Sequence, residues 1–121
     1  MNLVESIYDM QQTLLEAGDG LVIVKFGAEW CVPCNRIKSE YQKTLKRFYS
    51  VKAREADYDT SQELFDHYGV AAMPTFAIFK SGELVEMLPK PSTETIAEAL
   101  IFADPLQNYH NPPVLVLDAD F

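Results

Sequence analysis

Hydrophobic positions divide the chain into stretches of helical and strand period. Leu3, Ile7, Met10, Leu14 and Leu15 recur at three- and four-residue spacing, which predicts a helix over residues 2–17 stopped by Gly18, Asp19 and Gly20. Leu21, Val22, Ile23 and Val24 form a β-branched apolar run and predict a buried strand over 21–27. Helical period returns after Cys31, with Ile37, Tyr41, Leu45 and either Phe48 or Tyr49 on one face. A weaker strand is expected over 51–57, where Lys52, Arg54 and Glu55 interrupt the apolar positions. Asp59, Thr60 and Ser61 offer N-caps for a short helix ending near Tyr68 and Gly69. Thr75 to Phe79 reads as a strand, Ser81-Gly82 as a tight turn, and Glu83 to Leu88 as the returning strand. Ser92 and Thr93 cap a last helix through Ala103, which Asp104-Pro105 ends.

The order helix, strand, helix, strand, helix, hairpin, helix predicts an α/β fold. Its central sheet is mixed, with parallel pairing first and an antiparallel hairpin at the end, and helices flank both faces. The 121 residues suffice for one core, assigned to residues 1–103. Residues 104–121 are expected to be a C-terminal extension, with Val114 to Leu117 strand-like and Asp118 to Phe121 acidic.

Charge narrows the partners. Ten Lys and Arg stand against eighteen Asp and Glu, a net charge of −8, so direct binding to a nucleic-acid backbone is not expected. No apolar run is long enough to span a bilayer, so no membrane partner is expected either. The opening residues carry neither a basic region nor a long apolar core, and a cytoplasmic, reducing compartment is expected. In such a compartment two cysteines at close spacing point to catalysis more than to a structural staple.

Those two cysteines are the only ones, and they stand in Trp30-Cys31-Val32-Pro33-Cys34, between the first strand and a helix. Cysteines three apart at a helix start can close a small disulfide ring. Cys31 at the helix N-terminus would meet free N–H groups and the positive end of the helix dipole, which favour a thiolate. That thiolate can attack a partner disulfide, and Cys34, one turn deeper, can resolve the mixed disulfide. Pro33 is tolerated in the first turn and stiffens the ring. Trp30 would flank the sulfurs as an apolar platform. A zinc site would need further ligands, and His67 and His110 stand at no ligand spacing; a haem attachment would need His where Asn35 stands. No metal and no cofactor beyond the Cys31–Cys34 disulfide is expected.

These residues resemble the thioredoxin family. Ala28-Glu29-Trp30-Cys31-x-Pro33-Cys34 is similar to its active-site signature, Tyr68-Gly69-Val70 with Met73-Pro74-Thr75 to its second signature, and Lys80 to Glu83 to its terminal hairpin. The similarity covers about residues 2–103. It implies the thioredoxin fold, a redox-active disulfide, a cis Met73–Pro74 bond facing the cysteines, and a part in electron transport and cell redox homeostasis. The implied activity is dithiol–disulfide exchange through Cys31 and Cys34. The implied partners are disulfide-containing client proteins and a recycling reductase. Trp30, Val32, Pro33, Met73 and Pro74 become candidate substrate contacts, with the Met73 backbone free to pair with an extended client segment.

The departures bear on mechanism. Where family members typically carry a buried Asp beneath the site, this chain has Lys25, and where the facing strand often carries a Lys, it has Glu55. The pair reads as charge-swapped, so Lys25 and Glu55 join the catalytic candidates and an interaction between them is expected. Lys25 would favour a nearby thiolate or, when neutral, act as base; the competing reading has Lys25 snorkelling outward. Gly27 stands where an aromatic is common, Val32 replaces a usual Gly, and Pro89-Lys90-Pro91 replaces a loop that usually carries Gly. Two other functions remain in play: a binding subunit on the same fold with dispensable cysteines, and a more oxidising oxidase or isomerase.

Overall fold

The computed structural model describes residues 2–105; the expected strand-like stretch Val114 to Leu117 and the acidic terminus Asp118 to Phe121 lie outside them. The elements follow the order α1 (Ile7–Ala17), β1 (Leu21–Gly27), α2 (Val32–Lys46), β2 (Lys52–Asp57), α3 (Gln62–His67), β3 (Thr75–Lys80), β4 (Glu83–Pro89) and α4 (Thr93–Ala103). The sheet order is β2-β1-β3-β4. β1 pairs with β2 in parallel and with β3 antiparallel, and β3 pairs with β4 antiparallel. This is the mixed α/β thioredoxin fold that the motifs implied.

β1 sits inside the sheet, and all seven of its residues are buried. Alternation sends Val22, Val24 and Phe26 to one face, where they meet Met10 of α1 and Leu64 and Phe65 of α3. Leu21 and Ile23 point to the other, into a second core with Tyr41 of α2, Phe48, and Ile96 and Leu100 of α4. β3 repeats the division with Ala77 and Phe79 against Phe76 and Ile78. Each such side chain contributes about 1.5–3 kcal/mol when fully buried. The two cores fix the helices on either face, and Phe48 rather than Tyr49 faces inward with Tyr41, while Tyr49 is exposed.

The hairpin turn uses positive φ at both Ser81 (53°) and Gly82 (79°), the geometry that matches strand twist in a two-residue connection. Lys80 Nζ donates to the Asp19 carbonyl (2.6 Å) and pairs with Asp104 (3.5 Å), tying the end of β3 to the start of β1 and the end of α4. Among the described residues no helix is long and apolar enough to cross a membrane.

The first helix starts later than its apolar spacing predicts. Ser6 caps it by accepting from the Asp9 N–H (3.0 Å), so Leu3 lies outside the helix. Residues 2–4 run along β2 instead: Glu55 N–H donates to the Asn2 carbonyl (2.8 Å) and Val4 N–H to the Glu55 carbonyl (2.9 Å). Covering the outer edge of β2 in this way satisfies backbone groups that an open edge would leave exposed. Ser61 departs from its expected role as well. It stands at the N-cap of α3, yet its hydroxyl makes no cap bond; it donates to the Val4 carbonyl (3.0 Å) and anchors the same segment.

Ser61→Ala therefore removes the side-chain tie of the N-terminal segment. It should lower stability by about 1 kcal/mol in urea unfolding and speed amide exchange at Val4 and Glu55.

Candidate active site

The chain leaves β1 at Gly27 and turns through Ala28, Glu29 and Trp30 into α2. Cys31 N–H donates to the Ala28 carbonyl (3.1 Å), closing that turn, and Asn35 Nδ2 donates to the Glu29 carbonyl (3.0 Å). Cys31 is the N-cap of α2, with extended backbone, and its Sγ accepts from the Cys34 N–H (3.3 Å). Pro33 falls in the first turn, where its missing N–H costs no helical bond. Cys31 and Cys34 are joined as a disulfide with a Cα separation of 5.3 Å. Both are buried, Cys31 at 5% and Cys34 at 2% exposure, and they pack against Ala28 and Met73.

Gly27 lets the inner sulfur approach the sheet. A Cβ built there would meet Cys34 Sγ at 3.0 Å and Lys25 Cε at 3.9 Å, so a side chain at this position would displace the sulfur. The absent aromatic thus leaves space that Cys34 occupies.

Around the sulfurs the surface is apolar. Trp30 and Val32 are 59% and 57% exposed on either side of Cys31. Trp30 is held from below: its Nε1 donates to Asp59 (3.0 Å), and its ring meets Tyr58 edge-on at 6.3 Å. Tyr58 in turn meets Phe65 of the core at 5.2 Å. Asp59 and Tyr58 escaped the sequence reading as site residues, because the loop after β2 carries no motif; Asp59 looked like a turn residue. Across the site the Met73–Pro74 peptide is cis, and Pro74 is buried. The Pro74 carbonyl accepts from Lys90 N–H (2.7 Å), which ties the Pro89-Lys90-Pro91 loop to the site although Lys90 sits at a φ of 47°. Pro33, Ile37, Pro74, Lys90 and Pro91 line an open groove of about 390 Å³ between the start of α2 and the loop after β4.

Beneath Cys34 lies a smaller cavity of about 170 Å³, which brings Lys25, Glu55 and Cys34 together with Leu3 and Lys38. Lys25 is buried at 8% exposure, which overturns the outward-snorkelling alternative. It faces Glu55 in the parallel register of β1 and β2. The expected Lys25–Glu55 contact, however, is not an ion pair: no Lys25 salt bridge forms among the described residues. Glu55 is exposed and its carboxylate acts on Lys25 only across the cavity. Burial pushes the Lys25 pKa down; Glu55 opposes this and Lys38 adds to it. Lys25 Nζ lies 6.0 Å from the centre of the Tyr41 ring. Burial also raises the Tyr41 phenol, with Glu55 adding to the shift, so it stays neutral. Lys38 and Tyr41 were not singled out as site neighbours from the sequence; the signal that could have found them is their spacing, four and seven residues after Cys34 on one helical face. Among the described residues no cluster of three or more His, Cys, Asp or Glu could hold a metal.

A thioredoxin family model matches residues 4–101. The chain is similar to the thioredoxin of Gallus gallus, 34% identical over 97 residues, which span 80% of this chain and 92% of that one. It is also similar to the thioredoxin of Geodia cydonium, 39% identical over 83 residues, covering 69% and 78% of the two chains. The solved structure of Fasciola hepatica thioredoxin superposes with a TM-score of 0.80 at 27% identity, covering 85% of this chain and 99% of that one.

Gly27→Ala tests the close approach of sulfur to sheet. Crowding Cys34 should destabilise the disulfide form by about 1–3 kcal/mol, read by urea unfolding of the oxidised protein.

Proposed function

Because the chain belongs to the thioredoxin family and is a thiol–disulfide oxidoreductase, we propose that it works as a reductase of disulfides in client proteins. Members of this family act on disulfide-containing substrates and are recycled by a reductase. The observation that carries the reading is the placing of Cys31 Sγ at the N-cap of the fifteen-residue α2. A thiolate formed there is stabilised by the helix dipole and by the Cys34 N–H that already points at it. Cys34 lies deeper, one turn along the helix, where a client cannot reach it before Cys31.

In this mechanism the Cys31 thiolate attacks one sulfur of a client disulfide, and the other client sulfur leaves as a thiolate. A client segment lies along the groove beside Pro74, with the exposed Trp30 and Val32 and the neighbouring Pro33 and Met73 as its apolar contacts. The Met73 backbone pairs with that segment. Cys34 then displaces the client from Cys31 and restores the disulfide. A flavoprotein or other reductase returns the site to the dithiol. The redox-active disulfide is the whole of the cofactor. The commitment of both cysteines to this one motif supports work in the reducing cytoplasm. The intact pair, placed at a helix N-terminus, favours an enzyme over a binding subunit with dispensable cysteines.

The test is client reduction by paired variants. Cys31→Ser should abolish turnover of a disulfide-bonded substrate such as insulin. Cys34→Ser should accumulate a mixed disulfide between Cys31 and the client, visible by non-reducing electrophoresis. A double variant that still turned over, or a Cys34→Ser chain that trapped nothing, would refute the scheme.

A further inference from the structure

Lys90 occupies a backbone conformation that its residue type disfavours. Its φ of 47° lies in the left-handed region, where a Cβ crowds the following carbonyl and glycine is at ease. Pro91 adds to the conflict, because a residue before proline favours extended backbone. The surroundings hold the strained conformation in place. Pro89 and Pro91 lock their own φ on either side, and Lys90 N–H donates to the Pro74 carbonyl (2.7 Å). Lys90 is exposed, so burial does not explain why a long cationic side chain stands where glycine would fit without strain. Strain kept at one residue of a loop that touches a binding surface points to function.

Lys90 lines the groove between the start of α2 and the loop after β4, together with Arg36 of α2 and Pro74. Both cations are exposed, and neither enters an ion pair among the described residues. Two carboxylates share the groove: Glu40, which lies 3.9 Å from Lys43, and Glu94 in the first turn of α4. The pocket beside the Asp59 that holds Trp30 is different in charge. Glu5, Glu29, Glu55, Asp57 and Asp59 line it, and no cation does. In a chain of net charge −8, the cations at the Pro74 groove therefore stand out. The rigid loop fixes where the lysine stem leaves the backbone, so pairing with a carboxylate orders the side chain alone.

We propose that Lys90 is a specificity-determining residue: its ammonium, with Arg36 across the groove, selects client disulfides flanked by Asp or Glu in the segment that lies beside Pro74. The proposal rests on the reductase reading above, which supplies the client. Lys90 takes no part in the exchange of sulfur bonds. It acts on which segment settles in the groove before Cys31 attacks. A pair formed at an exposed rim is weak and is screened by salt, which sets the expected preference at about threefold.

The test uses a pair of synthetic peptides, identical except that Glu or Gln flanks an internal disulfide. The rate constant for reduction of each by the pre-reduced protein is followed through Trp30 fluorescence. The readout is the Glu-to-Gln ratio, from which a general change in reactivity cancels. Lys90→Asn removes the charge with a residue that tolerates positive φ, and it should lower the ratio about threefold. Lys90→Glu should lower it about tenfold, and Lys90→Arg, which keeps the cation, should hold it. In about 1 M salt, where the screening length falls to about 3 Å, wild type and Lys90→Asn should converge. Equal ratios in wild type, Lys90→Asn and Lys90→Glu overturn the proposal. So does a fall in Lys90→Arg as large as in Lys90→Asn, which would mark loop packing. The same peptides with serine in place of cysteine read binding without chemistry. Their affinity for the oxidised protein should show the same Glu preference and its loss in Lys90→Asn; no preference overturns the proposal. If the wild type reduces neither disulfide peptide, the reductase reading fails, and the serine peptides still decide whether Lys90 selects carboxylates.

Discussion

Everything in this molecule hangs on a central strand that is buried on both faces. β1 has neighbours on either edge and helices above and below, so all seven of its residues are buried. One row of its side chains holds α1 and α3, and the other holds α2 and α4. The second row is apolar at Leu21 and Ile23, charged at Lys25 and empty at Gly27. That sequence converts a packing surface into a chemical one along a single strand. In that row the apolar packing lies at the start of the strand, and the close approach of sulfur is permitted at its end.

The reactive cysteines inherit their properties from this arrangement. The strand delivers the chain to the start of α2, where Cys31 serves as the cap and, in the mechanism proposed above, as the nucleophile. An ordinary capping side chain would satisfy the same orphan N–H, so the site uses a position that every helix must fill. The exposed face is made by Trp30, pinned through Asp59 and Tyr58 to Phe65 in the core, and by the loop tied to the Pro74 carbonyl. The outer groove, lined by Pro33 and Pro74, and the inner cavity, lined by Cys34, are thus separate spaces.

Local pattern carried most of the fold. β1 and the hairpin were legible because β-branched alternation and a Ser-Gly turn leave few alternatives, and the cysteine site was legible because its spacing is tied to a helix start. The pattern failed where a tertiary contact overrode it. Leu3 has helical spacing to Ile7, yet the free edge of β2 captures its backbone, and the Ser6 cap shortens the helix. Ser61 looks like a cap because its type and position fit, but its hydroxyl is more useful holding the captured segment. Lys25 and Glu55 were correctly paired in register, since strand neighbours can be counted. Their separation was not legible, because it depends on where Glu55 meets solvent. Asp59 was invisible as a support of Trp30 because the two lie far apart in sequence and meet only in the folded chain.

The central claim is that the Cys31–Cys34 couple runs as a reductant. Its midpoint potential, read from Trp30 fluorescence in dithiol redox buffers, tests this most directly, since Trp30 is the only tryptophan and adjoins the nucleophile. The account predicts a value near the about −270 mV characteristic of thioredoxin, and in every case more negative than about −200 mV. A value less negative than about −200 mV would make the chain a disulfide donor or isomerase and contradict the account.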